Sequence, residues 1–335
     1  MYGGITRSAP AAGGKKEVGP NGDIFTLRMG RHDWVWEKQE QTGEEMPSPR
    51  SQHVAIPIPP QNDRMFVFGG HSSPTIRMND TWWLNTKEFT WSRAKGDKPV
   101  EGNKESAIGA PPPRANAAAC YYNKKIYIYG GHGGLNYARV SLDDIYTYDI
   151  EEGCWERIEP VQGLQPLPIG RGGHSIFIFD DKLYSYGGWN TEFNYNNVIM
   201  FDLHTREWSD PDIYNEVARW NHSAIMVEAI PSWKYFIMGG ESANFHEGQP
   251  RAFGNCVDTA CFLDIDTLKW TTIAPENAEK PIAREYSTLT YDSDDSRLIV
   301  FGGWNQGWLN DLYTLNVSKI VGPPYSIASV DPPLG

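Results

Sequence analysis

Cysteine is scarce in this chain, and its placement does no recognisable chemistry. The four residues, Cys120, Cys154, Cys256 and Cys261, form no Cys-x-x-Cys pair. Such spacing suits neither a disulfide framework nor a zinc site, which leaves reduced thiols. Basic charge is in deficit as well: 30 Lys and Arg stand against 42 Asp and Glu, for a formal net charge of −12. An acidic surface repels a phosphate backbone and an anionic bilayer, so neither nucleic acid nor membrane is expected as a partner. No apolar run approaches the ~20 residues of a spanning helix, and no charged start with an apolar core marks a signal peptide.

Turn residues and aromatics are what the sequence has in quantity: 33 Gly, 24 Pro, 13 Trp and 17 Tyr in 335 residues. That mixture predicts many short strands in an all-β chain. A short apolar run ending in Gly-Gly then recurs six times, roughly 60 residues apart, which is the length of a four-stranded unit with some long loops. The pairs are Gly3-Gly4, Gly69-Gly70, Gly130-Gly131, Gly187-Gly188, Gly239-Gly240 and Gly302-Gly303. An arginine precedes five of them in phase: Arg50, Arg114, Arg171, Arg219 and Arg284. A tryptophan closes five units: Trp36, Trp91, Trp155, Trp208 and Trp270. Paired glycines allow close backbone approach and positive φ. A buried guanidinium must be bonded, and its five donors suit it to tying neighbouring units together. The closing indole is expected to fill the gap between adjacent units.

These phased residues resemble the kelch repeat over nearly the whole chain. The resemblance implies an all-β fold, a six-bladed kelch-type β-propeller of four-stranded antiparallel blades. The expected propeller spans residues 1–321, with blades at about 1–45, 46–108, 109–165, 166–213, 214–278 and 279–321. Ala117 and Ser287 depart from the pattern, standing where the other repeats carry His53, His174 and His222. The first repeat opens inside its second strand, and the sixth has no closing tryptophan. Missing upstream sequence, or a segment around Lys319-Ile320-Val321 or Tyr325-Ser326-Ile327, is therefore expected to complete the fold. Residues 322–335, rich in proline, read as a linker or the start of an immunoglobulin-like domain of the TIG or filamin type. A kelch region leading into such a domain is similar to the amino end of alpha-type heavy chains of flagellar outer-arm dynein. That resemblance implies a place in the axoneme of a cilium or flagellum. The implied partners are other dynein heavy or intermediate chains, or an adjacent dynein arm. The ATP-driven motor would lie outside this sequence, which contains no P-loop pattern.

Connection lengths are asymmetric. In an antiparallel blade, the links between strands one and two and between strands three and four share one end. The remaining connections share the other. Links at the first end are short, such as Tyr122-Asn123-Lys124-Lys125 and Asp180-Asp181-Lys182. The long ones fall at the second end, among them 71–78, 93–113, 132–142, 241–254 and 272–283. Recognition usually sits on such loops, and Trp189, Phe193, Tyr195, Phe245, Trp304 and Trp308 are the candidate interaction residues there. The plainer reading of Trp189 and Trp304 is that they pack between blades. The acidic balance predicts a basic or neutral protein partner.

Enzymatic readings are weaker. Some kelch-type propellers are enzymes, including a copper oxidase whose metal needs paired histidines with tyrosines. His71 and His132 follow Gly-Gly in two repeats, where other repeats carry Ile5, Trp189, Glu241 and Trp304. They read as turn residues. Cys120 lies in an apolar strand, where a thiol is inert. No catalytic, cofactor-binding or metal-binding residue is assigned and no cofactor is expected. The chain reads as a non-catalytic protein-interaction module, with a kelch substrate adaptor or a small-molecule enzyme as the alternative.

Overall fold

The computed structural model describes residues 2–7, 18–30, 33–96, 109–161, 170–229, 232–242, 255–273 and 280–319. Phe245, the tail 322–335 and the closing segments beyond Lys319 lie outside these residues, as do large parts of the loops at 93–113, 241–254 and 272–283. The chain divides into two compact halves, Met1–Glu159 and Pro160–Gly335.

In the amino-terminal half, repeat two forms a four-stranded antiparallel sheet from Val54–Pro57, Arg64–Ser73, Ile76–Asn85 and Trp91–Arg93. Repeat three does the same with Ala118–Tyr122, Lys125–Tyr129, Ile145–Asp149 and Cys154–Ile158. In the carboxy-terminal half, repeat four uses Ser175–Phe179, Lys182–Tyr186, Asn197–Asp202 and Trp208–Tyr214. Repeat five uses Ser223–Ala229, Ser232–Met238, Ala260–Asp264 and Lys269–Ile273. Of the six four-stranded blades expected, four are complete four-stranded sheets among the described residues, and the two end repeats, whose sequences already depart from the pattern, are thinner there. Among the described residues, repeat six has three strands, Thr288–Asp292, Arg297–Trp304 and Trp308–Asn316, then a 3-10 turn at Val317–Lys319. Repeat one is a hairpin of Ile24–Met29 and Trp34–Gln39, and its Gly-Gly segment adds a single bridge, Tyr2 to Ile24.

Second strands are mostly apolar because both faces are covered, with Ser185 and Lys234 as buried exceptions, the latter paired with Asp264. Phe66, Val67 and Phe68 are buried in a row, as are Ile126, Tyr127, Ile128 and Tyr129. Burying each such large side chain contributes about 1.5–3 kcal/mol. Fourth strands keep an alternating pattern, with Trp155 inward between exposed Cys154 and Glu156. The core lies between sheets. Val54, Phe66 and Phe68 of repeat two pack on Ile126, Ile128 and Trp155 of repeat three. Val227, Phe236 and Phe262 of repeat five pack on Leu298 and Val317 of repeat six.

The closing indoles are not equivalent. Trp155 lies against Phe68 with ring centroids 5.1 Å apart, Trp91 against Tyr2 at 4.7 Å, and Trp270 against Tyr186 at 4.8 Å, each touching the preceding repeat. Trp208 contacts Phe201 of its own sheet. Trp36 is exposed, contrary to the gap-filling expectation, since the thin hairpin of repeat one offers it little cover.

The short links between third and fourth strands share one device. At the end of the third strand an Asx side chain accepts two successive amides. Asn85 takes Lys87 and Glu88, Asp149 takes Glu151 and Glu152, Asp202 takes His204 and Thr205, and Asp264 takes Asp266 and Thr267. These Asx turns bend the chain back within a few residues.

Candidate functional site: the long-loop ends of the sheets

Each arginine starts its first strand where the Gly-Gly pair ends the second, so both lie at the long-loop end. The guanidinium of Arg114 donates to Gly130 O at 3.0 Å and forks onto Asp144 at 2.6 and 2.9 Å. Arg50 does the same with Gly69 O and Asp80, and Arg284 with Gly302 O and Asp311. In repeat five Arg219 bonds Gly239 O and Thr259, and in repeat four Arg171 bonds Gly187 O and lies 4.0 Å over the Tyr195 ring. These glycine and carboxylate partners belong to the arginine's own repeat, which corrects the expectation that the guanidinium ties repeats together. The step to the neighbour is taken by the arginine main chain. Its carbonyl accepts the second glycine amide of the preceding repeat: Gly4 to Arg50 at 3.0 Å, Gly70 to Arg114 at 2.9 Å, Gly188 to Arg219 at 2.9 Å and Gly240 to Arg284 at 2.8 Å.

Two residues after each arginine the backbone is left-handed, at Gln52, Asn116, Gly173, Asn221 and Tyr286. Their amides and carbonyls join head to tail. Asn116 donates to Gln52 at 2.9 Å, Asn221 to Gly173 at 2.7 Å and Tyr286 to Asn221 at 2.9 Å. The histidines one position further on pack over the glycines. A Cβ on Gly70 would sit 2.8 Å from His53 Cβ, and one on Gly188 would sit 2.7 Å from His174 Cβ. Burial holds His53 and His222 well below the usual imidazole range, at about 3, with Arg50 and Arg219 acting in the same direction. The phased histidines are structural.

Between arginine and left-handed residue stands one more position, and the same bonding recurs there. The residue after the arginine and the residue after Gly-Gly exchange both main-chain hydrogen bonds: Ser51 with His71, Ala115 with His132, Gly172 with Trp189, Trp220 with Glu241, and Glu285 with Trp304. Ten amides and ten carbonyls are thereby satisfied without any side chain. What these positions present differs by half. In the amino-terminal half the pairs carry His71 and His132. Burial and the nearby Arg77 and Arg139 lower both, His132 to about 4. In the carboxy-terminal half the pairs carry indoles and carboxyls. Trp189 lies 6.4 Å from Trp220, and Asn221 Nδ2 donates to Glu285 Oε2 at 2.7 Å. Burial and the Glu241 carboxylate raise Glu285 to about 7, against the Asn221 hydrogen bond.

The candidate interaction residues separate on this frame. Trp189 and Trp304 are half-buried members of the paired positions. Trp308 is exposed and stands opposite Trp304 across its hairpin. Phe193 is exposed on the turn after Trp189, where its amide donates to Asn190 Oδ1. Tyr195 is held under Arg171 and accepts a bond from Asn190 Nδ2 at 2.8 Å, so it braces the turn. Segment 71–78, expected as a loop, is largely the hairpin extension of strands Arg64–Ser73 and Ile76–Asn85. Sequence reasoning passed over Glu241, Glu285 and the exposed apolar residues Ile76, Leu135, Tyr137 and Val140. Among the described residues, no three of His, Cys, Asp and Glu converge in a way that could hold a metal ion.

Residues 7–240 match the family described as the KLHDC2/KLHL20/DRC7 Kelch-repeats domain. The chain is 31% identical over 303 residues to the dynein alpha chain of the flagellar outer arm from Chlamydomonas reinhardtii, covering 86% of this chain and 6% of that one. It is 25% identical over 313 residues to Kelch domain-containing protein 1 of Mus musculus, covering 83% and 70%. It is also 25% identical over 290 residues to an N-(sulfonatooxy)prop-2-enimidothioate sulfolyase of Thlaspi arvense, covering 80% and 74%. With its phased Gly-Gly, arginine and tryptophan residues built into four-stranded antiparallel blades, this chain belongs to the kelch-repeat family of all-β propellers.

Proposed function

We propose that the chain is a non-catalytic protein-interaction module, the tail-end kelch propeller of an axonemal outer-arm dynein heavy chain. It would comprise six blades over residues 1–321, the first and last thin, with 322–335 leading into a following domain. Its partners are neighbouring dynein heavy or intermediate chains, or an adjacent arm, in a cilium or flagellum. The observation that carries this reading is the fixed main-chain frame at the long-loop ends, which presents indoles, carboxyls and histidines on rigid strands. The likeness to the Chlamydomonas dynein chain supports the dynein part of it. Phe193, Trp304 and Trp308 are the aromatic contacts proposed, with Trp189 beside them.

The test is co-sedimentation with salt-extracted outer-arm dynein. One variant set combines Phe193→Ala and Trp308→Ala at the long-loop ends. The other combines Lys124→Glu and Asp180→Lys at the short turns. Binding should fall with the first set and persist with the second. Loss with only the second, both proteins remaining folded, would overturn the assignment.

A further inference from the structure

The amino-terminal half carries a second surface at its long-loop end, with chemistry unlike that of the chain as a whole. Strands Arg64–Ser73 and Ile76–Asn85 project as a hairpin. Beside it, His132–Gly133 pairs with Val140–Ser141 in a small sheet of its own. The Arg77 guanidinium joins the two, donating to Gly134 O at 2.9 Å and Asn136 O at 3.3 Å. A groove of about 480 Å³ lies between them, with Pro112, Pro113 and Leu142 in its wall. That volume falls within the range of sites that seat a few side chains.

The rim of the groove is apolar and in water. Leu135 is 84% exposed, Tyr137 79%, Ile76 55% and Val140 54%. Four large apolar side chains gathered on two adjacent loops are unlike the scattered ones of an ordinary surface. The charge is equally uneven. Segments 71–78 and 132–142 contain the cations Arg77 and Arg139 and no aspartate or glutamate, in a chain of net charge −12, while His71 and His132, lowered by burial and these arginines, add no charge at neutral pH. Burial and then the charge of Arg139 depress Arg77, and both cations depress His71 and His132. The two guanidinium groups give this end of the half a positive local field, which favours an incoming carboxylate.

We infer that the groove between the Ile76 hairpin and the 132–142 loop binds an acidic segment of a partner protein that also carries apolar side chains. The inference rests on the reading of the chain as an interaction module and specifies one of its contacts. It departs from the basic partner that net charge alone implies, because contact is governed by the local field.

Fluorescence anisotropy with three labelled peptides tests it. One peptide alternates Glu with Leu and Trp, the second carries Lys in place of each Glu, and the third carries Ser in place of each Leu and Trp. The first should bind about tenfold or more tightly than the others, and its affinity should fall as salt is raised. Leu135→Ser combined with Arg139→Glu should weaken it about tenfold, with the melting curve unchanged. Equal binding of the Lys peptide, or unchanged affinity in the double variant, would overturn the inference. So would self-association through these residues, or flotation with phosphatidylserine vesicles in preference to the peptide. If the Phe193 and Trp308 set abolishes dynein binding while the Leu135 and Arg139 set does not, the interaction reading stands and this groove falls. If only the short-turn set acts, both fall.

Discussion

The amide of Gly70 donates to the carbonyl of Arg114 at 2.9 Å, across the boundary between repeats two and three. Gly70 holds φ at +94°, and a Cβ there would meet Ser51 O at 2.7 Å and His53 Cβ at 2.8 Å. Gly4 occupies the same place in repeat one, at φ +96°, with nothing within 4 Å. Gly70→Ala combines strain with a backbone clash and should cost about 3 kcal/mol or more, whereas Gly4→Ala should cost only the strain, about 1 kcal/mol. Thermal denaturation of the two variants side by side checks the order. Equal losses would show that the repeat boundary yields to a methyl group.

Arg114 and Arg284 are both fully buried, but their partners are not alike. The Asp144 side chain is 10% exposed and Asp311 36%. Removing Asp144 strands a guanidinium out of water, so Asp144→Ala should cost about 3–5 kcal/mol. Water reaches Arg284's partner and screens the pair, so Asp311→Ala should cost about 1–2 kcal/mol. Chemical denaturation gives both values, and a reversed order would contradict the burial argument.

The tryptophans offer a similar contrast. Trp155 is buried against Phe66, Phe68 and Tyr148, while Trp36 is 38% exposed. Trp155→Ala should cost about 3–5 kcal/mol. Trp36→Ala should cost about 1 kcal/mol or less, as exposed sites usually do. If the two midpoints fall together, repeat one must cover its indole in solution.

Stability should also depend on pH in two opposite ways. His53 and His222 titrate at about 3 in the fold against 6.5 ordinarily, and His132 at about 4. Below 6.5 the unfolded chain takes up their protons first, so their stabilising contribution is full above 6.5 and fades as pH falls toward 3. Glu285 runs the other way, raised from 4.5 to about 7. Its contribution is full below 4.5 and is lost as pH rises through 7, on the order of 3 kcal/mol. The melting temperature should therefore drop steeply on acidification from pH 6.5. Glu285→Gln should raise it at pH 8 and leave it nearly unchanged at pH 4.5. An increase of the same size at both values would rule out the carboxyl as the cause.

What the sequence reveals follows from what repeats as a side chain. Gly-Gly, arginine and the closing tryptophan recur in phase, and they lead directly to blades and their boundaries. The left-handed position escapes notice because Gln52, Asn116, Gly173, Asn221 and Tyr286 share a backbone conformation and no side chain. Trp36 looks like Trp155 in the alignment of repeats and differs only in what lies beside it. The candidate site was legible in its location, since loop lengths place it at one end. Its composition was less so. A search for aromatics finds Trp308 and Phe193, but Tyr195 proves to be a brace for Arg171. The groove beside Arg77 is marked by local charge, which the net value of −12 conceals.

The paired positions after arginine and after Gly-Gly separate architecture from chemistry. Both bonds of each pair are main chain, so the frame makes no demand on which residue stands there beyond a strand-like backbone. Ser, Ala, Gly, Trp and Glu all occupy the first position, and His, Trp and Glu the second. A substitution at one of these sites leaves both main-chain bonds of its pair in place, so its cost is set by the burial and side-chain partners of that one position, as at buried Ala115 and Glu285.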